Sequence, residues 1–215
     1  MRIFLFSLLL LTCSMQMSAQ GIGLGVRAGA TFANASFEDD DFDSESITGY
    51  SFGVLLPISL ADNFALQPEL SYVQKGYRAS VDLLGLNTET GVFFTYLEIP
   101  VLLRASFGPE DLKAYVQAGP AFGYAAGGRF ETTVGDETTD TDIDFEDAFF
   151  TDFNRGEVSG ILGGGVIFGG VSGLGLLLDG RYAFGLSDGD GTDEGEYRNR
   201  GLTLSAGLLF TIGNN

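Results

Sequence analysis

The stretch Ile22-Gly23-Leu24-Gly25-Val26-Arg27-Ala28-Gly29-Ala30-Thr31-Phe32 decides the fold. Its even positions are apolar and its odd positions are Gly, Arg or Thr. A period of two sends successive side chains to opposite faces of an extended chain, so this is a strand with one apolar face and one small or polar face. The alternation returns in Tyr50, Phe52, Val54, Leu56 and Ile58, and again in Phe64, Leu66, Leu70 and Tyr72. Leu97, Ile99, Val101 and Leu103 form a fourth run, and Val116, Ala118, Phe122 and Tyr124 a fifth. Three more follow: Val158 to Phe168, Leu174 to Phe184, and Leu202 to Ile212.

The connections between these eight runs differ in length. Residues 37–48, 79–92, 125–152 and 187–199 are long, whereas 60–63, 105–111 and 169–172 are short. Long loops at one end and tight turns at the other predict an all-β fold, an eight-stranded antiparallel up-and-down barrel. Aromatic placement decides what surrounds it. On the apolar face Phe32, Tyr50, Phe52, Tyr72, Phe122, Tyr124, Tyr182 and Phe184 gather towards the long loops. Phe64, Phe168 and Phe210 lie towards the turns, and the strand middles are aliphatic. Two aromatic girdles around an aliphatic band are expected where a wall meets a bilayer, so the barrel is predicted to be transmembrane, its apolar face outward. A soluble ligand barrel would carry its apolar face inward and has no reason to sort aromatics by height.

One stretch offers a rival. Val158 to Leu178 is uncharged and about as long as a membrane helix. Its glycines, among them Gly163, Gly164 and Gly165, make it a poor helix former. Gly169-Gly170-Val171-Ser172 also suits a hairpin turn between two strands.

Composition removes several classes of function. The 215 residues hold 11 Lys+Arg against 29 Asp+Glu, a formal net charge of −18, with no His, no Trp and one Cys. Such an excess of negative charge repels phosphate, so nucleic acid is not expected as a partner. Without His there is no Ser-His-Asp triad and no imidazole metal ligand. No enzymatic activity and no cofactor are expected.

The N-terminus reads as an export signal. Met1 and Arg2, the apolar run Ile3 to Leu11 and the polar end Ser18-Ala19-Gln20 follow the secretory pattern. Residues 1–19 are expected to be a cleaved signal peptide and 20–215 the barrel domain. Cys13 would be discarded with the signal. The lipoprotein alternative, with Cys13 acylated, wants a small residue where Thr12 stands.

Leu66-Gln67-Pro68-Glu69-Leu70-Ser71-Tyr72, followed by Gln74-Lys75-Gly76, resembles the third-strand motif of the PorT-type outer-membrane β-barrel family, a "porin family" grouping of Gram-negative bacteria. Tyr96-Leu97-Glu98-Ile99-Pro100-Val101-Leu102-Leu103 resembles its fourth strand, and Tyr115-Val116-Gln117-Ala118-Gly119-Pro120 its fifth. The resemblance implies an outer-membrane barrel and does not by itself imply a pore. Ser205 to Ile212 is similar to the terminal-strand signal read by the barrel-assembly machinery, although Gly213-Asn214-Asn215 extends beyond it. The expected partners are therefore outer-membrane lipid and that machinery, with the barrel itself a monomer.

Three constellations could carry function. The inward face holds Arg27, Lys75, Arg104 and Arg181 against Glu69, Glu98, Glu157 and Asp179. An eight-stranded interior is just wide enough for side chains to fill, so these charges are expected to pair and plug the lumen. A gate in a narrow porin-like channel for small solutes is the alternative. Counting each strand from its turn end puts Arg27, Glu69, Glu98, Asp179 and Arg181 at similar heights. The second constellation is the acid of the long loops, where Asp140-x-Asp142-x-Asp144 and Asp188-x-Asp190 offer closely spaced oxygen ligands for calcium. Neither follows the EF-hand pattern, and a solvated surface or a site for an extracellular partner stands beside that reading. The third is Phe145, Phe149, Phe150 and Phe153, which either fold back over the barrel mouth or form an adhesive surface.

Overall fold

The computed structural model describes residues 21–37, 44–83, 86–109, 111–135, 137–145, 153–169, 173–187 and 197–212. The strands are β1 (Ile22–Phe37), β2 (Ile47–Leu55), β3 (Ile58–Ala61), β4 (Phe64–Leu83) and β5 (Leu86–Phe107). They continue with β6 (Leu112–Val134), β7 (Glu137–Asp142), β8 (Gly156–Gly169), β9 (Leu174–Gly185) and β10 (Tyr197–Ile212). The expected signal peptide lies outside the described residues.

The wall runs β10-β9-β8-β6-β5-β4-β2-β1, and β1 pairs back onto β10 from Ile22↔Ile212 to Phe37↔Tyr197. That last pairing closes the ring, which leaves no open edge in the wall. β2 and β3 act as one wall strand, since both pair with β1 and with β4. They are parted at Pro57, which has no N–H for the ladder, while its carbonyl still accepts from Gly23 N at 2.8 Å. β7 pairs with β6 above the wall. Among the described residues the barrel therefore has eight antiparallel wall strands.

The inside/outside phase follows the alternation. Leu24, Val26, Val54, Leu176 and Leu204 stand exposed on the outer face, 45–52% of each accessible. The girdle residues Tyr50, Phe52, Tyr72, Phe122, Tyr124 and Tyr182 are exposed at the loop end, Phe64, Phe168 and Phe210 at the turn end. Tyr50 and Tyr72 stack at 6.1 Å between ring centres. These rings and aliphatics face lipid. The glycine-rich stretch from Val158 is the β8–β9 hairpin, and no helix among the described residues is long and apolar enough to cross a membrane. Gly165 shows why glycine belongs there: a Cβ on it would stand 2.6 Å from Tyr115 Oη inside the barrel.

Two of the expected long loops are partly strand. β4 and β5 pair continuously up to Leu83↔Leu86, and β6 and β7 pair from Arg129↔Asp142 to Val134↔Glu137. The sheet β4–β5–β6–β7 thus rises beyond the loop-end girdle. The turn into this extension is made by Gly76, whose φ of +148° suits glycine, and by a register shift opposite Thr95 and Tyr96.

Candidate functional site: the barrel lumen

Strand tilt builds the lumen. Residues paired across neighbouring strands do not share a height, because the strands of a closed barrel climb as they go round. The row Ile167↔Leu177↔Gly207↔Arg27↔Gly53↔Ser71↔Glu98↔Gly123↔Glu157 runs from the turn end to the loop end. One row therefore contributes to floor, middle and top, and the inward side chains stack in layers.

The floor, at the turn end, is apolar: Leu55, Tyr115, Ile167, Leu177 and Leu209 pack together. Above it lies the first polar layer. Glu69 accepts from Arg181 Nη1 at 2.7 Å, from Arg27 Nη2 at 3.3 Å and from Gln67 Nε2 at 2.6 Å. Asp179 accepts from the Arg181 Nε, from Tyr115 Oη at 2.6 Å and from Gln117 Nε2 at 2.7 Å. Arg104 joins from the side, donating to Gln67 Oε1 at 2.8 Å with its guanidinium 5.4 Å from the Tyr115 ring centre.

A second polar layer sits nearer the loops. Lys75 Nζ lies 2.6 Å from Glu98 and also bonds Glu157. Asn199 Nδ2 donates to Glu157 and, at 3.3 Å, to Tyr96 Oη, while Lys75 stands 5.1 Å from the Tyr96 ring centre. All eight charged side chains expected in the lumen are there, each at most 8% exposed. Their grouping differs from the sequence reading in one respect. Glu98 is not level with Arg27 and Arg181 but pairs with Lys75, because strand tilt carries its row upward.

Over this layer lies an apolar cap. Val92, Phe94, Tyr96, Ala125 and Ile143 cluster, with Tyr77, Phe130, Phe145 and Phe153 against them. Phe153 stacks on Phe94 at 4.8 Å and on Phe145 at 5.7 Å. Arg155 fastens this corner: it donates to Ala125 O at 2.9 and 3.0 Å and lies 4.4 Å from the Phe145 ring centre. Two of the four loop phenylalanines thus fold back over the mouth, while Phe149 and Phe150 lie outside the described residues. The partners that sequence reasoning did not single out are Gln67, Tyr96, Tyr115, Gln117 and Asn199. All but Asn199 stand in the quoted strand motifs, and their inward phase was the available signal.

The calcium candidates among the described residues do not assemble. Asp140 and Asp142 are exposed on β7, opposite Glu131 and Arg129, with Asp144 exposed just beyond. Asp188 and Asp190 lie outside the described residues. Among the described residues no three carboxylates converge on a metal position.

A family model described as "Outer membrane protein beta-barrel domain" matches residues 16–190. Solved structures similar to the chain include Neisserial surface protein A, at 16% identity over 87% of this chain and 96% of that one, with a TM-score of 0.45. The attachment invasion locus protein Ail of Yersinia pestis is 14% identical over 89% and 99%, also with a TM-score of 0.45. OprG from Pseudomonas aeruginosa is 11% identical over 90% and 98%, with a TM-score of 0.39. Curated proteins gave no match. The family model spans well over half of the sequence, and the chain belongs to the outer membrane protein beta-barrel domain family, a protein of the outer membrane.

Proposed function

We propose that this protein is a closed outer-membrane barrel that does not conduct, and that it works as a structural or surface-interaction element. The observation that carries the reading is the layering of its lumen: an apolar floor, two ion-paired layers and an aromatic cap. A solute passing from end to end would have to open both apolar layers and part buried charge pairs. Such an interior leaves the faces of the barrel to meet other molecules. The loop end, with its raised β4–β7 sheet and exposed Asp140 and Asp142, is the face proposed for that contact.

No catalytic role is proposed. Glu69, Glu98, Glu157 and Asp179 are each held by a cation or by several donors, which leaves none poised as a general acid or base. Within the family, the PorT-type group is the proposed home of the chain, supported by Tyr96-Leu97-Glu98-Ile99-Pro100, whose Tyr96 and Glu98 both end in the second polar layer. Liposome swelling tests the closed lumen: proteoliposomes should admit glycerol and small sugars no faster than empty vesicles. Solute entry that rises with protein density would refute the reading and favour the narrow porin.

A further inference from the structure

We infer that the lumen holds a buried anion site, sized for chloride, between its two polar layers. A cavity of about 30 Å³ lies there, lined by Arg27, Ser51, Lys75, Glu98, Arg181 and Thr203 among others. A single water needs roughly 10–15 Å³ of such space, so the cavity accepts a chloride-sized ion with a water beside it.

The lining has donors to spare. Arg27 Nε and Nη1, Arg181 Nη2 and Ser51 Oγ are buried and have no partner in the protein. These residues are at most 6% exposed. Guanidinium N–H groups donate and never accept. A water that accepted from them would need acceptors for its own two protons. The Thr31 and Thr203 hydroxyls bond each other at 3.2 Å, and their remaining lone pairs, with that of Ser51 Oγ, are the neutral acceptors a water would use, set against several unpartnered guanidinium N–H groups. An anion takes several donors at once and gives none back, which is what this lining asks for.

The lumen as a whole is neutral, four cations against four carboxylates, but the charge is unevenly divided between the layers. In the lower layer Arg27, Arg104 and Arg181 face Glu69 and Asp179, leaving one positive charge in excess. In the upper layer Lys75 faces Glu98 and Glu157, leaving one negative charge in excess. The orphaned N–H groups belong to the positive layer. Glu98 also borders the cavity; its Oε1 lies 2.6 Å from Lys75 Nζ but, like the orphaned N–H groups, has no hydrogen bond of its own, so the anion is assigned to Arg27, Arg181 and Ser51 and not to the Lys75–Glu98 side. With apolar layers above and below, the ion enters as the barrel closes around it rather than through a finished pore.

The test uses the whole barrel, refolded and crystallised in sodium bromide. An anomalous bromide peak inside the lumen, within hydrogen-bonding distance of the Arg27 and Arg181 guanidinium groups, is the expected result. A lumen that holds only water there overturns the proposal. In solution, the thermal midpoint of the refolded barrel should rise with chloride or bromide relative to gluconate at equal ionic strength, since gluconate is too large for the cavity. Ser51→Ala removes one donor and no charge, and should move that halide dependence to about tenfold higher concentration. Equal midpoints in chloride and gluconate for the unmodified barrel would also overturn it.

Discussion

Removing the Arg181 side chain should cost the barrel more than removing Arg27 or Arg104, its neighbours in the lower polar layer. Arg181 is 3% exposed and, among the described residues, is the one cation that bonds both carboxylates of the lower layer, Glu69 at 2.7 Å and Asp179 through its Nε. Arg181→Ala takes away both bonds and leaves two buried anions with weaker company. Breaking a buried ion pair from one side typically costs about 3–5 kcal/mol. Here the loss is softened, because Glu69 keeps Arg27 at 3.3 Å and Gln67, while Asp179 keeps Tyr115 and Gln117. A loss near the lower end, about 3 kcal/mol, is therefore expected. Arg181→Lys keeps the charge but cannot fork between the two carboxylates, so it should fall between the parent and the alanine variant. Thr31→Val serves as the control, since it deletes one neutral hydrogen bond, to Thr203, and should cost about 1 kcal/mol. The chain has no tryptophan, so equilibrium urea unfolding in detergent is best followed by circular dichroism and by gel mobility before and after boiling. If Arg181→Ala were no worse than Thr31→Val, the ion pairs would not be holding the lumen together.

Leu176→Arg puts a charge on the lipid face, where Leu176 is 46% exposed, and should cost about 2–4 kcal/mol in refolding measurements. Thr203→Arg points inward instead, so it should act through crowding and show no dependence on bilayer thickness. Gly165→Leu would drive a side chain into Tyr115 and should abolish the heat-modifiable form on gels. Phe153→Ala removes two ring stacks from the cap, and hydrogen exchange should speed up at Phe94 and Ala125 while the floor residues Leu177 and Leu209 keep their protection.

The wall was legible in the sequence because lipid imposes its own alternation. Every wall strand had to set apolar residues outward at a period of two, and the girdles marked both ends. The inward charges could be read from the same phase, Arg27 opposite Leu24 and Val26, Glu98 between Leu97 and Ile99. Their partners could not be read as directly, since counting along a strand ignores the climb of its neighbours, and this is why Glu98 stands with Lys75 rather than with Arg27. The extension of β4 to β7 was hidden for another reason. Above the bilayer a strand has water on one or both faces, and Glu137-Thr138-Thr139-Asp140-Thr141-Asp142 has no apolar period left to detect. Backbone pairing alone defines it. The fold-back of Phe145 and Phe153 was foreseen only as one of two options, because an aromatic in an acidic loop reads the same whether it packs inward or waits for a partner.

The closed lumen is tested most directly by single-channel recording from the purified, refolded protein in planar bilayers. Insertion without conductance steps above the bare bilayer is expected, in chloride and in gluconate salts alike, if the apolar floor and the aromatic cap close the passage as proposed. Steady cation-selective channels, reproducible at single-molecule level, would contradict the closed barrel and make Glu69, Glu98, Glu157 and Asp179 the lining of a pore.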